Sequence, residues 1–177
     1  GGTGADTISA GADNDTIQLA NGQFVAGESI DGGAHTTGDT IVLTSATTVD
    51  FTTGTVTNVE TLNGGTGIDV VTMSATQWAG FSTINLGITG ANTLNVLASG
   101  DISASGTPAV TNVTTGNLTG TGGTDTVTLT GAQLDAIIIG AGTINLGAGA
   151  GDTINLTSTS ADLNTLGATN ASILGVE

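Results

Sequence analysis

The sequence contains no lysine, no arginine and no cysteine, and each absence excludes a class of protein. With a net charge of −15, the chain lacks the cationic side chains that bind nucleic-acid phosphates or anionic lipid headgroups. We therefore expect no nucleic-acid partner. We also expect no membrane insertion, because no apolar run approaches the roughly 18 residues of a membrane span. The lack of cysteine excludes disulfide bonds and thiolate metal sites.

Aromatic residues and proline are also scarce: the chain has three phenylalanines, one tryptophan, no tyrosine and one proline. It has 30 glycines, and 37% of its residues are hydrophobic while only 8% are charged. This balance argues against disorder driven by charge and low hydropathy. It favours many short strands and turns around a core of valine, isoleucine and leucine.

A glycine-aspartate motif occurs twice in full. Residues 64–72 (GGTGIDVVT) and 1–9 (GGTGADTIS) both fit the nonapeptide G-G-x-G-x-D-x-U-x, in which U is a large apolar residue. A degenerate copy, residues 10–18, follows the first. The glycines allow a tight turn, and the last residues alternate as a half-buried strand does. The turn offers backbone carbonyls and a carboxylate, which are oxygen ligands suited to calcium.

A longer unit recurs three times, at about 1–60, 61–114 and 115–177, and each copy carries two strand signals. These signals begin at Asp15, Asp39, Asp69, Asn92, Asp125 and Asp152. Strands too short to bury their own faces, repeated in this way, predict a single all-β domain over 1–177: a parallel β-solenoid (β-roll or β-helix) of about six coils with irregular loops. Equivalent aliphatic residues are expected to stack as one inner ladder: Ile17, Ile41, Val71, Leu94, Val127 and Ile154.

Two further patterns complete the expected fold. One helical turn is predicted in each of residues 74–81 and 130–139, which hold the equivalent Gln77 and Gln133. The pairs Asp50-Phe51, Asp101-Ile102 and Asp162-Leu163 recur at one position, which indicates a structural role at the start of a strand. Because the last coil has no cap, we expect the chain to be a fragment of a longer protein.

The nonapeptides resemble those of the RTX (repeats-in-toxin) family of secreted bacterial proteins. Weaker forms lie at 87–95, 120–128 and 147–155. The longer unit looks like the Thr/Gly-rich repeats of S-layer proteins and large surface adhesins. The resemblance implies turns that bind calcium, strands of a parallel β-roll, type I secretion and an extracellular location at the bacterial cell surface.

The candidate calcium ligands are the glycines and aspartates of these turns. They are Gly2, Gly4, Asp6, Gly11, Asp13, Asp15, Asp39, Gly65, Gly67, Asp69, Asp125 and Asp152. The alternative is that the aspartates only close turns, because Asp and Asn side chains hydrogen-bond well to their own backbone. His35, the one histidine, is expected to be exposed in a loop.

The sequence therefore favours a structural protein over an enzyme. The first hypothesis is a calcium-stabilised segment of an S-layer, surface filament or adhesin that folds outside the cell and associates with itself, with surface polysaccharide as a further partner. The alternative is the β-helix portion of a secreted enzyme acting on polysaccharide, which the scarcity of aromatic and basic residues disfavours. Ice binding by flat threonine rows is a third hypothesis, but the threonine pairs do not recur in every copy.

Overall fold

A computed structural model describes residues 1–161 and 173–174 of the chain. These residues form mostly β-structure in parallel sheets, with two α-helices and one short 3-10 helix. Within them, no helix has the length and apolar character needed to cross a membrane. The predicted all-β class with parallel strands is confirmed. Residues 162–172 and 175–177 lie outside the described residues, as do the predicted features Asp162-Leu163 and the end of the third copy.

The strands are short, and their bounds in chain order are as follows. They are β1 (Thr7–Ala12), β2 (Thr16–Leu19), β3 (Ser29–Ala34), β4 (Thr40–Leu43), β5 (Thr48–Asp50), β6 (Thr55–Thr57), β7 (Thr61–Asn63), β8 (Val70–Ser74), β9 (Thr83–Asn85), β10 (Thr93–Leu97), β11 (Gly100–Asp101), β12 (Ala109–Thr111), β13 (Thr115–Thr119), β14 (Thr126–Leu129), β15 (Ile139–Gly140), β16 (Ile144–Asn145), β17 (Thr153–Leu156) and β18 (Ile173–Leu174). The helices are the 3-10 helix Phe51–Thr53, α1 (Ala75–Gly80) and α2 (Gly131–Ile137).

The strands form four sheets, named A to D here. Sheet A has the order β1-β3-β6, sheet B β12-β9-β7-β4-β2, sheet C β18-β16-β13-β10-β8-β5 and sheet D β11-β14-β17. Strands that follow each other along the chain lie mostly in different sheets. The chain returns to a given sheet after 21 to 29 residues, as the pairs Thr40↔Thr61 and Ile144↔Ile173 show. Among the described pairs, all are parallel except β13 with β15.

Several strands, such as β2, β4, β10 and β14, alternate between a buried aliphatic residue and a less buried one, which is most often threonine or asparagine. In β4, for example, Ile41 and Leu43 are fully buried while Thr40 and Val42 are half-buried. Because paired strands are in register, equivalent aliphatic residues stack into rows along each sheet. One row of sheet B runs Ile17, Ile41, Leu62, Ile84 and Val110. The rows of the four sheets contribute to one hydrophobic core.

The single inner ladder predicted from the sequence is wrong. Its six residues form three separate pairs: Ile17↔Ile41 in sheet B, Val71↔Leu94 in sheet C and Val127↔Ile154 in sheet D. The two strand signals within a copy are 23 to 27 residues apart, which matches the return of the chain to one sheet. The signals that join copies are 30 and 33 residues apart, and this longer segment carries the chain on to the next sheet.

Both predicted helical turns are confirmed, and both begin with a capping box. In α1 the Ser74 hydroxyl accepts the Gln77 N–H, and the Gln77 side chain accepts the Ser74 N–H in return. Thr130 and Gln133 form the same pair at α2. These reciprocal bonds satisfy backbone donors that a helix start leaves open.

The free amide end of each capping glutamine joins its helix to an earlier part of the chain. Gln77 Nε2 donates to the Phe51 carbonyl at 2.7 Å, and Gln133 Nε2 donates to the Ile102 carbonyl at 2.7 Å. Helix α1 also contacts β6 of sheet A and β11 of sheet D. The helix therefore occupies a place between the last strand of one sheet and the first strand of another.

Candidate cation sites at the sheet corners

Polar side chains occupy the position directly before the first residue of many of the parallel strands, which we call the corner position. We call each set of stacked corner positions a corner column and name it after its sheet. Column A holds Asp6 and Glu28, column B Asp15, Asp39 and Glu60, column C Thr47, Asp69 and Asn92, and column D Asp125 and Asp152. All but three of these residues (Asp6, Asp15 and Glu60) are buried, with Asp39, Asp69 and Asp152 at 0% exposure.

Within a column, the side chain of one residue accepts the backbone N–H of the residue that precedes it in the stack. In column B the Asp15 N–H donates to Asp39 Oδ1 at 2.7 Å, and the Asp39 N–H donates to Glu60 Oε2 at 2.8 Å. Columns A, C and D repeat the arrangement over 2.8 to 3.2 Å. Hydrogen bonds to a carboxylate are stronger than neutral ones, so the columns tie successive strands together at their starts.

The second oxygen of three aspartates closes the glycine turn before it. Asp6 Oδ2 accepts the Gly2 N–H at 2.6 Å, and Asp69 Oδ2 accepts the Gly65 N–H at 3.1 Å. Asp125 Oδ2 accepts the Thr121 N–H at 2.7 Å in the same way. The turn thus directs N–H groups towards the carboxylate. This is the arrangement expected if these aspartates close turns. Both oxygens of Asp69 accept backbone N–H groups of the chain itself.

The remaining glycines and Asp13 of the predicted calcium set shape the turns. Gly4, Gly11 and Gly67 have φ values of 118°, 111° and 115°, a left-handed region that favours glycine. Gly11 lies within β1, where it pairs with Gly33, and the Gly67 N–H donates to Thr89 Oγ1. Asp13 is exposed with a φ of 83°. Their roles as calcium ligands stay predictions.

Four carboxylate oxygens of the columns are buried without a hydrogen-bond partner among the described residues. They are Asp15 Oδ2, Glu28 Oε1, Asp39 Oδ2 and Asp152 Oδ2. A buried charge is costly unless it is paired, and the chain has no lysine or arginine to pair it. Glu28 Oε1 and Asp6 Oδ2 both lie beside Gly1, where two carboxylates approach each other. These corners have the chemistry of cation sites.

Column C shows what satisfies a corner without a cation. Asn92 occupies the position that Asp39 holds in the preceding copy, and its oxygen accepts the Asp69 N–H at 2.9 Å. Its amide nitrogen donates to the carbonyls of Leu86, Gly87 and Asn112 at 2.7 to 3.0 Å. An aspartate has no such donor. The substitution noted in the sequence at Asn92 therefore separates a corner satisfied by the chain from one that is not.

The corner at Asp39 also contains the one histidine. His35 Nδ1 lies 3.2 Å from Glu60 Oε2 and 3.8 Å from Asp39 Oδ2, and its side chain is 33% exposed. One ligand atom from each of the three residues lies within 4.8 Å of the other two. His35 is exposed in a loop, as predicted, but strand β3 and the loop after it also bring it to two carboxylates.

Sequence reasoning missed Glu28, Glu60 and His35 as site residues. Glu28 precedes Ser-Ile-Asp and Glu60 precedes Thr-Leu-Asn, the same pattern of an acid before a hydroxyl and an aliphatic residue that marks Asp39. That pattern could have identified both glutamates as corner residues, but the strand signals were defined with aspartate or asparagine at this position and not glutamate. No local pattern around His35 indicates its partners.

The recurring aspartates 50 and 101 have a structural role, but at the end of a strand rather than at its start. Asp50 is the last residue of β5 and Asp101 the last of β11. Asp50 Oδ1 accepts the N–H and hydroxyl of Thr52, and Asp101 Oδ1 accepts those of Ser103. The bonds from the Ser103 hydroxyl and N–H lower the pKa of Asp101 below its usual 3.8.

An enzyme acting on polysaccharide would need exposed aromatic side chains or a pocket with ionisable groups. The aromatic side chains and one pocket beside α1 bear on this alternative. Phe51 and Trp78 have 0% exposure, Phe81 4% and Phe24 9%, so none presents a platform to a sugar ring. A pocket of 280 Å³ beside α1 is lined by Val56, Thr57, Asn58, Val59, Thr76, Gln77, Gly80 and Phe81. This lining holds no ionisable group, and the enzyme alternative stays an untested prediction.

Comparisons of the chain with protein-family models, with curated proteins and with solved structures find no match. The resemblance to RTX repeats therefore rests on the nonapeptides and the longer unit alone. Function has to be argued from the corner columns and the chain path.

Proposed function

We propose that the chain is a structural segment of a secreted bacterial cell-surface protein, built as a parallel β-solenoid that calcium stabilises outside the cell. In this proposal the four sheets are faces of one solenoid of about six coils. The protein is of the RTX-like S-layer, filament or adhesin type.

The chain path supports the solenoid. Between β3 and β10 the chain visits sheets A, B and C in turn, then passes through α1 before it returns to B and C. Helix α1 takes the place of a strand between β6 and β11, so sheets A and D occupy the same face at different levels. Parallel pairing at an interval of one coil is the geometry of stacked repeats, in which each coil buries its aliphatic residues against its neighbours.

The corner columns carry the calcium part of the proposal. Within the part of the chain that the structure describes, four buried carboxylate oxygens have no hydrogen-bond partner, and the chain carries 15 acidic residues and no lysine or arginine. Calcium prefers carboxylate and carbonyl oxygens and neutralises the charge that otherwise opposes compaction. A cation that binds only the folded state stabilises it by mass action. Folding is therefore favoured outside the cell, where calcium is abundant.

The partner in this proposal is a second copy of the chain, with surface polysaccharide as a further one. Among the described residues, the first strands of the sheets, such as β1, β2 and β5, have one edge without a paired strand. Such edges are able to pair with another chain. Strand addition at the end of the solenoid would extend it into a filament or a lattice.

A calcium titration of the purified chain tests the proposal. Circular dichroism and urea unfolding would be recorded in chelator, in magnesium and in calcium, with light scattering on the same samples. We expect the free energy of unfolding to rise by about 2.7 kcal/mol per site when calcium reaches roughly 100 times its dissociation constant. Magnesium is expected to be weaker, because it keeps its water ligands and demands octahedral geometry.

Equal unfolding curves in chelator and in calcium would overturn the calcium part. The aspartates would then be turn formers, and their hydrogen bonds together with the aliphatic rows would stabilise the chain. A rise in scattering that requires calcium would support self-association, and a monomer at every calcium concentration would contradict it.

A further inference from the structure

We propose that His35, Asp39 and Glu60 form a zinc site at the corner between β3 and β4. This inference goes beyond calcium at the corner columns, because it concerns a different metal and a nitrogen ligand. The site is composed of the imidazole Nδ1 and one carboxylate oxygen from each acid, on two successive passes of the chain through sheet B.

The distances suit a small tetrahedral ion. Zinc binds histidine nitrogen and carboxylate oxygen at about 2.0–2.2 Å, which places tetrahedral ligand atoms about 3.3 Å apart. His35 Nδ1 is 3.2 Å from Glu60 Oε2 and 3.8 Å from Asp39 Oδ2. The three ligand atoms all lie within 4.8 Å of one another, so movements of the partly exposed His35 and Glu60 side chains would bring them to ligand spacing.

The ligand that carries the proposal is Asp39. Its side chain has 0% exposure, and Oδ1 accepts the Asp15 N–H while Oδ2 accepts no hydrogen bond. Oδ2 is turned towards Gly32, where a Cβ would meet both Oδ2 and the Asn58 carbonyl. An acceptor buried against another acceptor needs a cation or a proton. His35 Nδ1 lies 3.8 Å from Asp39 Oδ2, so the two atoms can bind one metal ion.

The loop that carries His35 is held in place by the preceding pass of the chain. Asn14 Oδ1 accepts the N–H groups of Thr36, Thr37 and Gly38 at 2.9 to 3.2 Å. Gly38 has a φ of 129°, and a Cβ there would touch Glu60, so glycine lets this acid approach the loop. A metal site needs this kind of support, because ligands held by a second layer of contacts lose little entropy on binding.

The nitrogen ligand sets the choice of metal. Calcium and magnesium take oxygen ligands, whereas imidazole suits zinc and other late transition metals. His35 is 33% exposed and Glu60 21%, so solvent reaches one side of the site and water can fill a fourth position. The ion would join the loop before β4 to the start of β7.

The test is a zinc titration by calorimetry on the full 177-residue chain in saturating calcium. Calcium fills the oxygen-only corners and keeps the chain folded, so a failure of zinc binding is separate from a failure of the calcium proposal. The variants are His35→Gln and Glu60→Gln. The control is Asp101→Asn, which removes the same negative charge as Glu60→Gln at an exposed position outside the site. Nitrogen NMR on the one imidazole reports which ring nitrogen binds.

We expect one tight zinc per chain, a shift of the Nδ1 resonance, and affinity at least about ten-fold weaker in both site variants, as loss of metal-site groups typically gives. The Asp101→Asn control is expected to bind as the original chain does. Equal zinc affinity in His35→Gln, or an imidazole spectrum that zinc leaves unchanged, would overturn the site. In that case His35 is only a polar neighbour of Glu60, with Nδ1 3.2 Å from Oε2.

Discussion

The corner at Asp39 and the corner at Asn92 have the same backbone design but differ in the group that each buries. In both, an asparagine with a left-handed φ, Asn58 at 51° or Asn112 at 56°, turns a carbonyl towards the corner. The Asn112 carbonyl receives a hydrogen bond from the Asn92 amide at 3.0 Å. The Asn58 carbonyl faces the same space as the Asp39 carboxylate, which has no hydrogen to donate.

This difference teaches how one repeat can exist with and without a cation. An amide supplies both an acceptor for the column and a donor for the surrounding carbonyls, so the chain satisfies the Asn92 corner by itself. A carboxylate supplies the acceptor and leaves the carbonyls without a donor. Exchange of a single oxygen for a nitrogen therefore decides whether the corner requires an ion.

Asn92→Asp should produce the largest change. The variant loses three donated hydrogen bonds and buries a charge beneath Asp69, so we expect the free energy of unfolding in chelator to fall by about 3 kcal/mol. Calcium is expected to restore part of the loss, because the new carboxylate would lie among carbonyl oxygens with no nitrogen ligand beside it. Urea unfolding with and without calcium measures both.

The matched control for this variant is Asn21→Asp. Asn21 is exposed and uses its oxygen to accept the Thr48 N–H, which an aspartate accepts equally well. The control adds the same charge without burying it. A loss of stability that is equal in the two variants would assign the effect to net charge rather than to the corner.

The two left-handed asparagines offer a change that should affect both corners alike. Asn58→Ala and Asn112→Ala each place a Cβ without a polar group in the left-handed region, and each removes a side-chain bond, to Asp31 or to Asn85. We expect each to lower the free energy of unfolding by about 1.5 kcal/mol in urea melts. Glycine at the same positions should recover the backbone part of the loss. A much larger loss of stability in one of the two variants would mean that Asn58 and Asn112 do not play the same role at the two corners.

Asp39→Asn should convert the first corner into the second. The amide keeps the acceptor for the Asp15 N–H and gains a donor for the neighbouring carbonyl, so we expect a gain of about 1 kcal/mol in chelator at pH 8. Dependence on added cation should shrink at the same time. A less stable variant in chelator would show that the Asp39 charge is already balanced.

Asp101 gives the smallest effect and the reference for an exposed carboxylate that the chain satisfies. Its hydrogen bonds from Ser103 lower its pKa from 3.8, so its contribution to stability is present above the unfolded pKa and is lost as pH falls through the folded pKa. Ser103→Ala should move the pKa back up towards its usual range. Carboxyl NMR during a pH titration measures the shift, and an unchanged pKa would remove the assigned cause.

Much of the fold was predictable because each strand repeats a short pattern. An acid or amide, then threonine (valine in β8), then an aliphatic residue marks the start of β2, β4, β8, β10, β14 and β17. The helices were predictable because a hydroxyl followed three residues later by glutamine forms a capping box. The sheet to which each strand belongs was not predictable. It depends on whether the number of residues between two strand signals matches the number that the chain needs to return to the same sheet.

The candidate site was predictable only in its aspartates. Asp39 follows the motif, whereas Glu60 does the same work with a longer side chain and His35 lies in a loop without a pattern of its own. These three meet because β4 and β7 pair in register, with Thr40 opposite Thr61. Contacts between residues 21 or more positions apart depend on strand register, which the composition of a single strand does not determine.

The shift of equivalent strands from sheet B to C to D has a consequence for a longer array. If the proposed solenoid holds, each further copy of the unit would turn its corner about the long axis by one face as well as advancing it. Acidic corners would then trace a helical stripe around a rod and not a straight line along it. Such a rod would present ion-bridged contacts in several directions at once, which suits a two-dimensional network more than a simple bundle.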